Sequence, residues 1–101
     1  MRLMVMFDLP TSTAKERAAY ARFRKNLIKE GFLMMQESVY CKLVMSPLAA
    51  ELAKQRVERI KPPHGLIQAL IITEKQYASI DYILGSAPQK QISDTERLVI
   101  L

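Results

Sequence analysis

The sequence has little of several residue types, and each shortage excludes a class of protein. Among 101 residues there is one cysteine, Cys41, so neither an intrachain disulfide nor a cysteine metal cluster can form. The single histidine, His64, excludes zinc sites that are built from several histidines. The longest uninterrupted apolar run, residues 3–7, is far shorter than the roughly 20 residues of a membrane-spanning helix.

The rest of the composition is typical of one globular domain. Half of the residues are hydrophobic and a quarter are charged, with three glycines and five prolines, which excludes disordered and low-complexity chains. The net charge of +5 and the pI near 9.6 are compatible with an anionic partner. Charge alone does not choose between a nucleic acid, a membrane surface and no partner. The sequence does not open on a secretion leader, so we expect a cytoplasmic protein.

Local patterns predict the first two elements. An apolar run over residues 1–7 that ends at Asp8 predicts a strand buried on both faces. A capping box formed by Thr13 and Glu16 predicts the start of a helix. Gly31 is the residue type that commonly ends a helix, so the helix is predicted to stop there.

The middle of the chain leaves an alternative open. Residues 32–45 are predicted either as one long strand or as two strands joined by a bulge near residues 36–38. A helix is predicted to begin at Pro47, with an apolar side made of Leu48, Leu52, Val57 and Ile60. The remaining predicted elements are a central strand over 66–73, a short helix over 74–82, a flexible loop over 85–95 and a terminal strand over 96–101.

This order of elements predicts an α+β sandwich with a ferredoxin-like β-α-β-β-α-β arrangement and both long helices on one face of the sheet. Residues 1–84 form the predicted ferredoxin-like domain, and the loop and the terminal strand complete a single domain. From its position after a long loop, the terminal strand can pair with its own sheet or cross to a partner subunit.

Asp8 is the strongest candidate for a catalytic or metal-binding residue, because it lies where an apolar strand ends. A carboxylate held there is a suitable ligand for Mg²⁺, which binds through one or two carboxylates and water. The alternative is a turn residue whose side chain bonds its own backbone. One carboxylate per chain is too few for a secure metal site, but a two-fold dimer that joins two copies of Asp8 supplies a second.

The first predicted helix is strongly basic. Lys15, Arg22 and Lys29 recur every seven residues and form one row about 20 Å long, while Arg17 and Arg24 form a second row. The predicted nucleic-acid-binding residues are these five and Lys25. Such rows suit a phosphate backbone and carry no base specificity, and the alternative is a solvated helix face.

Other residues are weaker candidates. Ser38 and Tyr40 share the strand face opposite Cys41 and are predicted to point toward the sheet end that carries Asp8. Cys41 itself is predicted to be a buried thiol, and the six methionines are predicted to fill the core. His64, within Pro-Pro-His-Gly, is interpreted as a turn residue.

The order of the motifs resembles a known family. The first strand ends in Met-Phe-Asp-Leu-Pro at 6–10, and the basic helix contains Tyr-Ala-Arg-Phe-Arg-Lys at 20–25. Further motifs follow at 30–32 (Glu-Gly-Phe), 36–40 (Gln-Glu-Ser-Val-Tyr), 73–76 (Thr-Glu-Lys-Gln) and 96–99 (Glu-Arg-Leu-Val). Over nearly its whole length the chain is similar to the CRISPR-associated adaptation proteins of the second core family, the small partners of the CRISPR integrase, and especially to their type II-A branch.

The resemblance implies a ferredoxin-like homodimer in which the last strand completes the partner's sheet. It also implies a role in spacer acquisition, in which the dimer sits between two integrase dimers and supports double-stranded DNA. Asp8 falls on the family's acidic position, where some members are assigned metal-dependent endonuclease activity on RNA or DNA with Mg²⁺. Some nuclease-type members carry a basic residue in the second strand where this chain has Met34 and Met35, so we expect weak or absent cleavage.

Three functions are compatible with these residues. We expect a spacer-acquisition scaffold that holds duplex DNA mainly through the first helix. The first alternative is an autonomous metal-dependent endonuclease that uses Asp8 and Mg²⁺. The second alternative is a ferredoxin-like regulatory module for a small anionic ligand, which differs in salt dependence because duplex binding weakens steeply with salt.

Overall fold

The computed structural model describes residues 1–88, which form one antiparallel sheet and three helices. The strands are β1 (Arg2–Asp8), β2 (Leu33–Gln36), β3 (Val39–Leu43) and β4 (Leu66–Ile72). The helices are α1 (Ala14–Lys29), α2 (Pro47–Ile60) and α3 (Glu74–Ala78). The predicted α+β order is confirmed. The predicted terminal strand over 96–101, and residues 89–95 of the predicted loop, lie outside the described residues.

The sheet order β2-β3-β1-β4 places β1 between two antiparallel neighbours. Met6 of β1 pairs with Val39 of β3, and Asp8 pairs with Leu66 of β4. This register brings the end of β1, the start of β3 and the start of β4 to one end of the sheet. Because α1 begins there and α2 ends there, we call this region the Asp8 end and define it as residues 8–13, 37–38 and 61–65.

The core lies between the sheet and helices α1 and α2. Leu3, Val5 and Phe7 alternate along β1, and their side chains are buried on the helix-facing side. The buried residues that pack with them from other elements include Phe23, Leu27, Tyr40, Ala50, Ala53 and Val57. Phe7 lies at the centre, with its ring edge-on to Phe23 at 5.0 Å between centroids. Both long helices therefore cover the same face, as predicted.

Helix α1 begins and ends as the sequence predicts. The Thr13 hydroxyl accepts a hydrogen bond from the Glu16 backbone N–H at 3.1 Å, and the Glu16 carboxylate accepts one from the Thr13 N–H at 3.0 Å. Gly31 follows the helix with φ +93°, a conformation that glycine adopts without steric cost. The Lys42 ammonium donates to the Glu30 carbonyl at 2.7 Å and satisfies an acceptor at the helix end.

Two predictions about the strands are wrong. Only one face of β1 is buried, and Met4 and Met6 on the other face are half-buried. β4 lies at an edge of the described sheet rather than at its centre, and Leu66 and Leu70 are 54% and 53% exposed. An apolar run predicts a strand but does not reveal which elements cover its two faces. The prediction from sequence therefore overestimated the burial of β1 and β4.

The predicted apolar side of α2 is partly wrong. Val57 is buried as expected, but Leu48 and Leu52 are 69% and 48% exposed, while Ala50 and Ala53 face the core. Small side chains let a helix approach its neighbours closely, so alanine and not leucine occupies this contact. The methionines do not fill the core either, because none of the six is buried.

Residues 32–45 form two strands, which is one of the two predicted alternatives. Glu37 and Ser38 make the tight turn between them, and the bulge lies within β2, between Met34 and Gln36. Ser38 adopts φ +67°, which is uncommon for a residue with a side chain. Among residues 1–88, no helix has the length and hydropathy that crossing a bilayer requires.

Candidate nucleic-acid interface

Asp8 is the last residue of β1, and its side chain is exposed at the Asp8 end. Within residues 1–88 its carboxylate makes no hydrogen bond or ion pair, so the turn-residue alternative with a backbone bond is not observed. The carboxylate lines an open groove. The other lining residues of this groove, which we call the Asp8 groove, are Leu9, Thr11, Arg17, Tyr20, Glu37 and Ser38.

The β2–β3 turn is fixed against the Asp8 groove by two hydrogen bonds of Ser38. Its carbonyl accepts from the Phe7 backbone N–H at 3.0 Å, next to Asp8 in the chain. Its hydroxyl and the Tyr20 hydroxyl lie 3.0 Å apart and share a hydrogen bond. Ser38 thus lies beside Asp8, as the sequence predicts, and it connects α1 to the end of the sheet.

Tyr40 lies deeper than its predicted place near Asp8. Its side chain is buried, and its ring stacks on Phe7 with 5.7 Å between centroids. The phenol oxygen accepts a hydrogen bond from the Arg24 guanidinium Nε at 2.8 Å. Tyr40 therefore belongs to the core, and its hydroxyl serves as a partner for a basic residue of α1.

Arg17, one of the predicted binding residues, is also bonded within the chain. Its Nη1 donates to the carbonyls of Thr11 and Ser12 at 3.1 and 3.2 Å. These bonds tie the loop after β1 to the second turn of α1. The Arg17 charge remains at the surface, but its position is set by the loop that it holds.

The other four predicted cations of α1 differ from Arg17 and Arg24. Within the described part of the chain their side chains are exposed and make no hydrogen bond or ion pair; these residues are Lys15, Arg22, Lys25 and Lys29. Lys15 and Arg22 line a second groove, between α1 and the turn that precedes β4. The predicted basic rows therefore lie on two different flanks of one helix.

The donor set of one chain does not fit a Mg²⁺ site. Among residues 1–88, no three side chains of the His, Cys, Asp and Glu types come together. Asp8 and Glu37 are the acidic residues of the Asp8 groove, and Arg17 lines the same groove with a positive charge. One chain therefore offers too few oxygen ligands for this cation.

A second polar cluster lies at the other end of β1, on the face of the sheet away from α1 and α2. Arg2 donates to the Glu74 carboxylate at 3.1 Å, and its guanidinium carbon lies 3.9 Å from the centre of the Tyr77 ring. Burial raises the pKa of the Cys41 thiol, and Arg2 offsets only part of this effect. Cys41 is thus a buried thiol, as predicted, and not an activated nucleophile.

Sequence reasoning missed Glu37 as a groove residue and treated His64 only as a turn residue. The order of the strands could have placed Glu37, because the turn of a β2–β3 hairpin lies at the end of the sheet where β1 stops. The chain between α2 and β4 must return to the same end for β4 to pair antiparallel with β1. Both residues are therefore brought to the Asp8 end by strand order and not by a local motif.

Comparison with known proteins gives a consistent result. Residues 1–80 match the family described as CRISPR associated protein Cas2. The chain is 46% identical over 101 residues to a protein of Ligilactobacillus salivarius named CRISPR-associated endoribonuclease Cas2, which covers all of both chains. A protein of the same name from Lacticaseibacillus rhamnosus is 45% identical, again over all of both chains.

A solved structure is also similar. The crystal structure of Streptococcus pyogenes Cas2 at pH 6.5 matches with a TM-score of 0.64 and 21% identity, and it covers 84% of this chain and 100% of that chain. At this level of identity the likeness concerns the fold. It supports the α+β arrangement described above.

Proposed function

The chain belongs to the CRISPR-associated Cas2 family, and we propose that it serves spacer acquisition as a dimeric scaffold that holds duplex DNA for the CRISPR integrase. The observation that carries this proposal is the exposed basic surface of α1. That helix has six cations and a single carboxylate, Glu16, and all six cations are exposed. Glu16 is engaged in the helix cap, so it neutralises none of them through an ion pair.

The spacing of these cations favours an extended polyanion. From Lys15 to Lys29 the row extends about 21 Å along the helix, at 1.5 Å per residue. Duplex DNA carries one negative charge per roughly 1.7 Å of its axis, so it offers phosphates along the entire row. A small anionic ligand contacts only one position of such a row, which makes the regulatory-module alternative a poorer match.

The uncovered face of the sheet supports the dimer. Leu43, Leu66 and Leu70 lie on the face away from α1 and α2 and are each about half exposed. Exposed apolar side chains on an uncovered sheet face commonly mark a protein–protein interface. A second copy of the chain, packed face to face, removes this surface from water and brings the two Asp8 residues toward the dimer axis.

A metal-dependent endonuclease is the second candidate function. The curated relatives carry the word endoribonuclease in their names, and Asp8 presents an unpaired carboxylate at a rigid strand end. One chain does not hold enough ligands for Mg²⁺, so this function requires the Asp8 carboxylates of both subunits. Met34 and Met35 supply no cation for a scissile phosphate, and we therefore rank cleavage below the scaffold.

One experiment separates the two functions. Wild-type protein and the Asp8→Asn variant are each incubated with purified integrase, a labelled duplex and labelled RNA, with and without Mg²⁺. We expect both proteins to copurify with the integrase and to retain the duplex, with affinity that falls steeply as salt rises. We expect little cleavage by either protein, because the scaffold does not use the Asp8 charge.

Two results contradict this ranking. Robust Mg²⁺-dependent cleavage by the wild type, lost in Asp8→Asn at unchanged thermal stability, makes the endonuclease the primary function. A wild-type protein that binds neither duplex nor integrase at low salt refutes the scaffold. The substitution is suitable because asparagine keeps the shape of aspartate and removes the charge that a cation needs.

A further inference from the structure

The methionines of this chain lie on different surfaces and are exposed to different extents. None of the six is buried. Met34 and Met45 are 46% and 84% exposed. Met4 and Met6 are half-buried on the face of the sheet away from α1 and α2, which we call the uncovered face. Because a thioether sulfur outside the core can be reached by an oxidant, the position of each methionine decides what its oxidation changes.

Met4 and Met6 lie in the middle of the uncovered face. Their strand, β1, has a neighbour on each side, and the register sets Met4 between Cys41 of β3 and Leu70 of β4. Leu70 is itself 53% exposed. Met6 lies two residues further along the same side of β1. A second copy of the chain that packs on this face therefore meets both thioethers near the centre of the contact.

The two other sulfurs close to these methionines are less available. Cys41 is buried, and this burial raises the pKa of its thiol, so the less reactive protonated form predominates. The Met35 sulfur accepts a hydrogen bond from the Tyr77 hydroxyl at 3.6 Å, which engages one of its lone pairs. Met4 and Met6 are thus the sulfurs whose oxidation most directly alters the uncovered face.

We propose that Met4 and Met6 form a modification site, at which a hydroperoxide converts the thioethers of the free chain to sulfoxides and thereby blocks pairing of two copies through the uncovered face. This inference rests on the proposed function, because it takes the uncovered face as the contact between the subunits. Met34 and Met45 also oxidise, but they lie outside that contact, so their sulfoxides leave the dimer intact.

The chemical step balances with hydrogen peroxide as the oxidant. A lone pair of the thioether sulfur attacks one peroxide oxygen, so a sulfur–oxygen bond forms and the oxygen–oxygen bond breaks. The second oxygen leaves as hydroxide and takes up a proton to become water. The sulfur loses two electrons and the peroxide gains them. One methionine and one hydrogen peroxide therefore give one methionine sulfoxide and one water.

A sulfoxide opposes pairing because its oxygen is strongly polar. In the free chain this oxygen is hydrated, whereas between two apolar faces it loses water without gaining a donor. A polar group buried in this way weakens association by about tenfold. Two sulfoxides in one subunit are therefore expected to raise the dissociation constant of the dimer at least about 100-fold.

The same geometry makes the modification depend on assembly. In the dimer the two faces exclude the oxidant from Met4 and Met6, while the free chain exposes both. Oxidation at these positions is therefore faster in dilute protein than in concentrated protein. Met45 is the internal reference, because its side chain is exposed in both states and its rate is independent of protein concentration.

The test compares two doubly substituted proteins that lose the same number of thioethers. One is Met4→Leu with Met6→Leu, and its matched control is Met34→Leu with Met45→Leu. Leucine is close to methionine in volume and does not react with peroxide. Each protein is treated with hydrogen peroxide at low concentration, and its dissociation constant is measured by analytical ultracentrifugation. We expect the control and the wild type to lose the dimer and the first variant to keep it.

The wild type carries the test alone if the first variant does not dimerise before treatment. Partly oxidised wild type is separated into monomer and dimer by size exclusion, and each fraction is analysed by mass spectrometry. We expect sulfoxide at Met4 and Met6 in the monomer fraction, and equal sulfoxide at Met34 and Met45 in both fractions. Methionine sulfoxide reductases are expected to restore the dimer, whereas dithiothreitol, which reduces disulfides of Cys41, is not.

Three outcomes overturn the inference and leave the proposed function standing. In the first, the wild type stays dimeric although Met4 and Met6 are oxidised. In the second, both double variants lose the dimer equally in peroxide. In the third, Met4 and Met6 stay unoxidised in dilute protein while Met45 reacts. A wild-type protein that is monomeric before any peroxide is added refutes instead the dimer of the proposed function.

Discussion

The two flanks of α1 have the same kinds of basic residue but use them differently. On the flank toward the β2–β3 hairpin, Arg17 and Arg24 donate hydrogen bonds to the chain itself. On the flank toward the turn that precedes β4, the side chains of Lys15 and Arg22 have no partner among residues 1–88. Each of these arginines has further guanidinium N–H groups, so the two flanks differ in how firmly their side chains are held and not in their charge.

The difference arises from what each flank faces. The hairpin side offers oxygen acceptors, namely two loop carbonyls and a phenol that stands at the edge of the core. The turn side presents Pro62, Pro63 and His64, a stretch without a carboxylate. A long basic side chain bonds to an acceptor within its reach, so Arg17 and Arg24 are held by the chain. The side chains of Lys15 and Arg22 have no such bond, and we call their side of α1 the free flank.

The largest expected loss of stability comes from a substitution at Gly65, in the turn that faces the free flank. Gly65→Ala places a Cβ against Leu9 and the Asp8 carbonyl at a backbone angle that alanine disfavours. We expect a loss of about 3 kcal/mol in the free energy of unfolding, from backbone strain and overpacking together. Urea denaturation monitored by circular dichroism measures it.

Gly85→Ala is the matched control for that substitution. Gly85 also has a positive φ, of +88°, but nothing lies within 4 Å of a Cβ added there. We expect a loss of about 1 kcal/mol, which is the strain of the angle alone. Equal losses at the two positions contradict the close approach of the turn to β1.

A smaller effect is expected on the structural flank. Tyr40→Phe removes the acceptor of Arg24 and keeps the ring stacked on Phe7. We expect a loss of about 1 kcal/mol in the free energy of unfolding, because one hydrogen bond is lost and the guanidinium regains water. Duplex affinity per folded molecule is expected to stay at the wild-type value. A clear drop in affinity without a change in stability assigns Arg24 to the DNA surface.

The sequence predicted the elements of this fold better than their surroundings. The capping box at Thr13 and the glycine at 31 set the limits of α1, because those signals act over a few residues. The exposure of β4 and the alanine contact of α2 depend on which elements lie next to them in space. Periodicity alone therefore predicted Leu48 and Leu52 in the core, whereas both side chains are exposed in the structure.

The candidate site likewise has features that the sequence predicts and features that depend on neighbours in space. Asp8 and the cations of α1 were predicted because a strand end and a helical repeat are visible in the sequence. Their division into bonded and free residues was not, because it depends on acceptors such as the Tyr40 hydroxyl, 16 positions from Arg24 in the chain. His64 is brought to the second groove of α1 by the strand order and not by its neighbours in the sequence.

The most direct test of the central claim is lysine footprinting of the unmodified protein. Surface lysines are acetylated with and without bound duplex, and the extent of modification at each lysine is read by mass spectrometry. We expect bound duplex to protect Lys15 and Lys29 on α1, while Lys75 on α3 and Lys54, paired with Glu51 on α2, react as before. Protection of Lys54 or Lys75 with none at Lys15 contradicts the claim that the duplex lies along the free flank of α1.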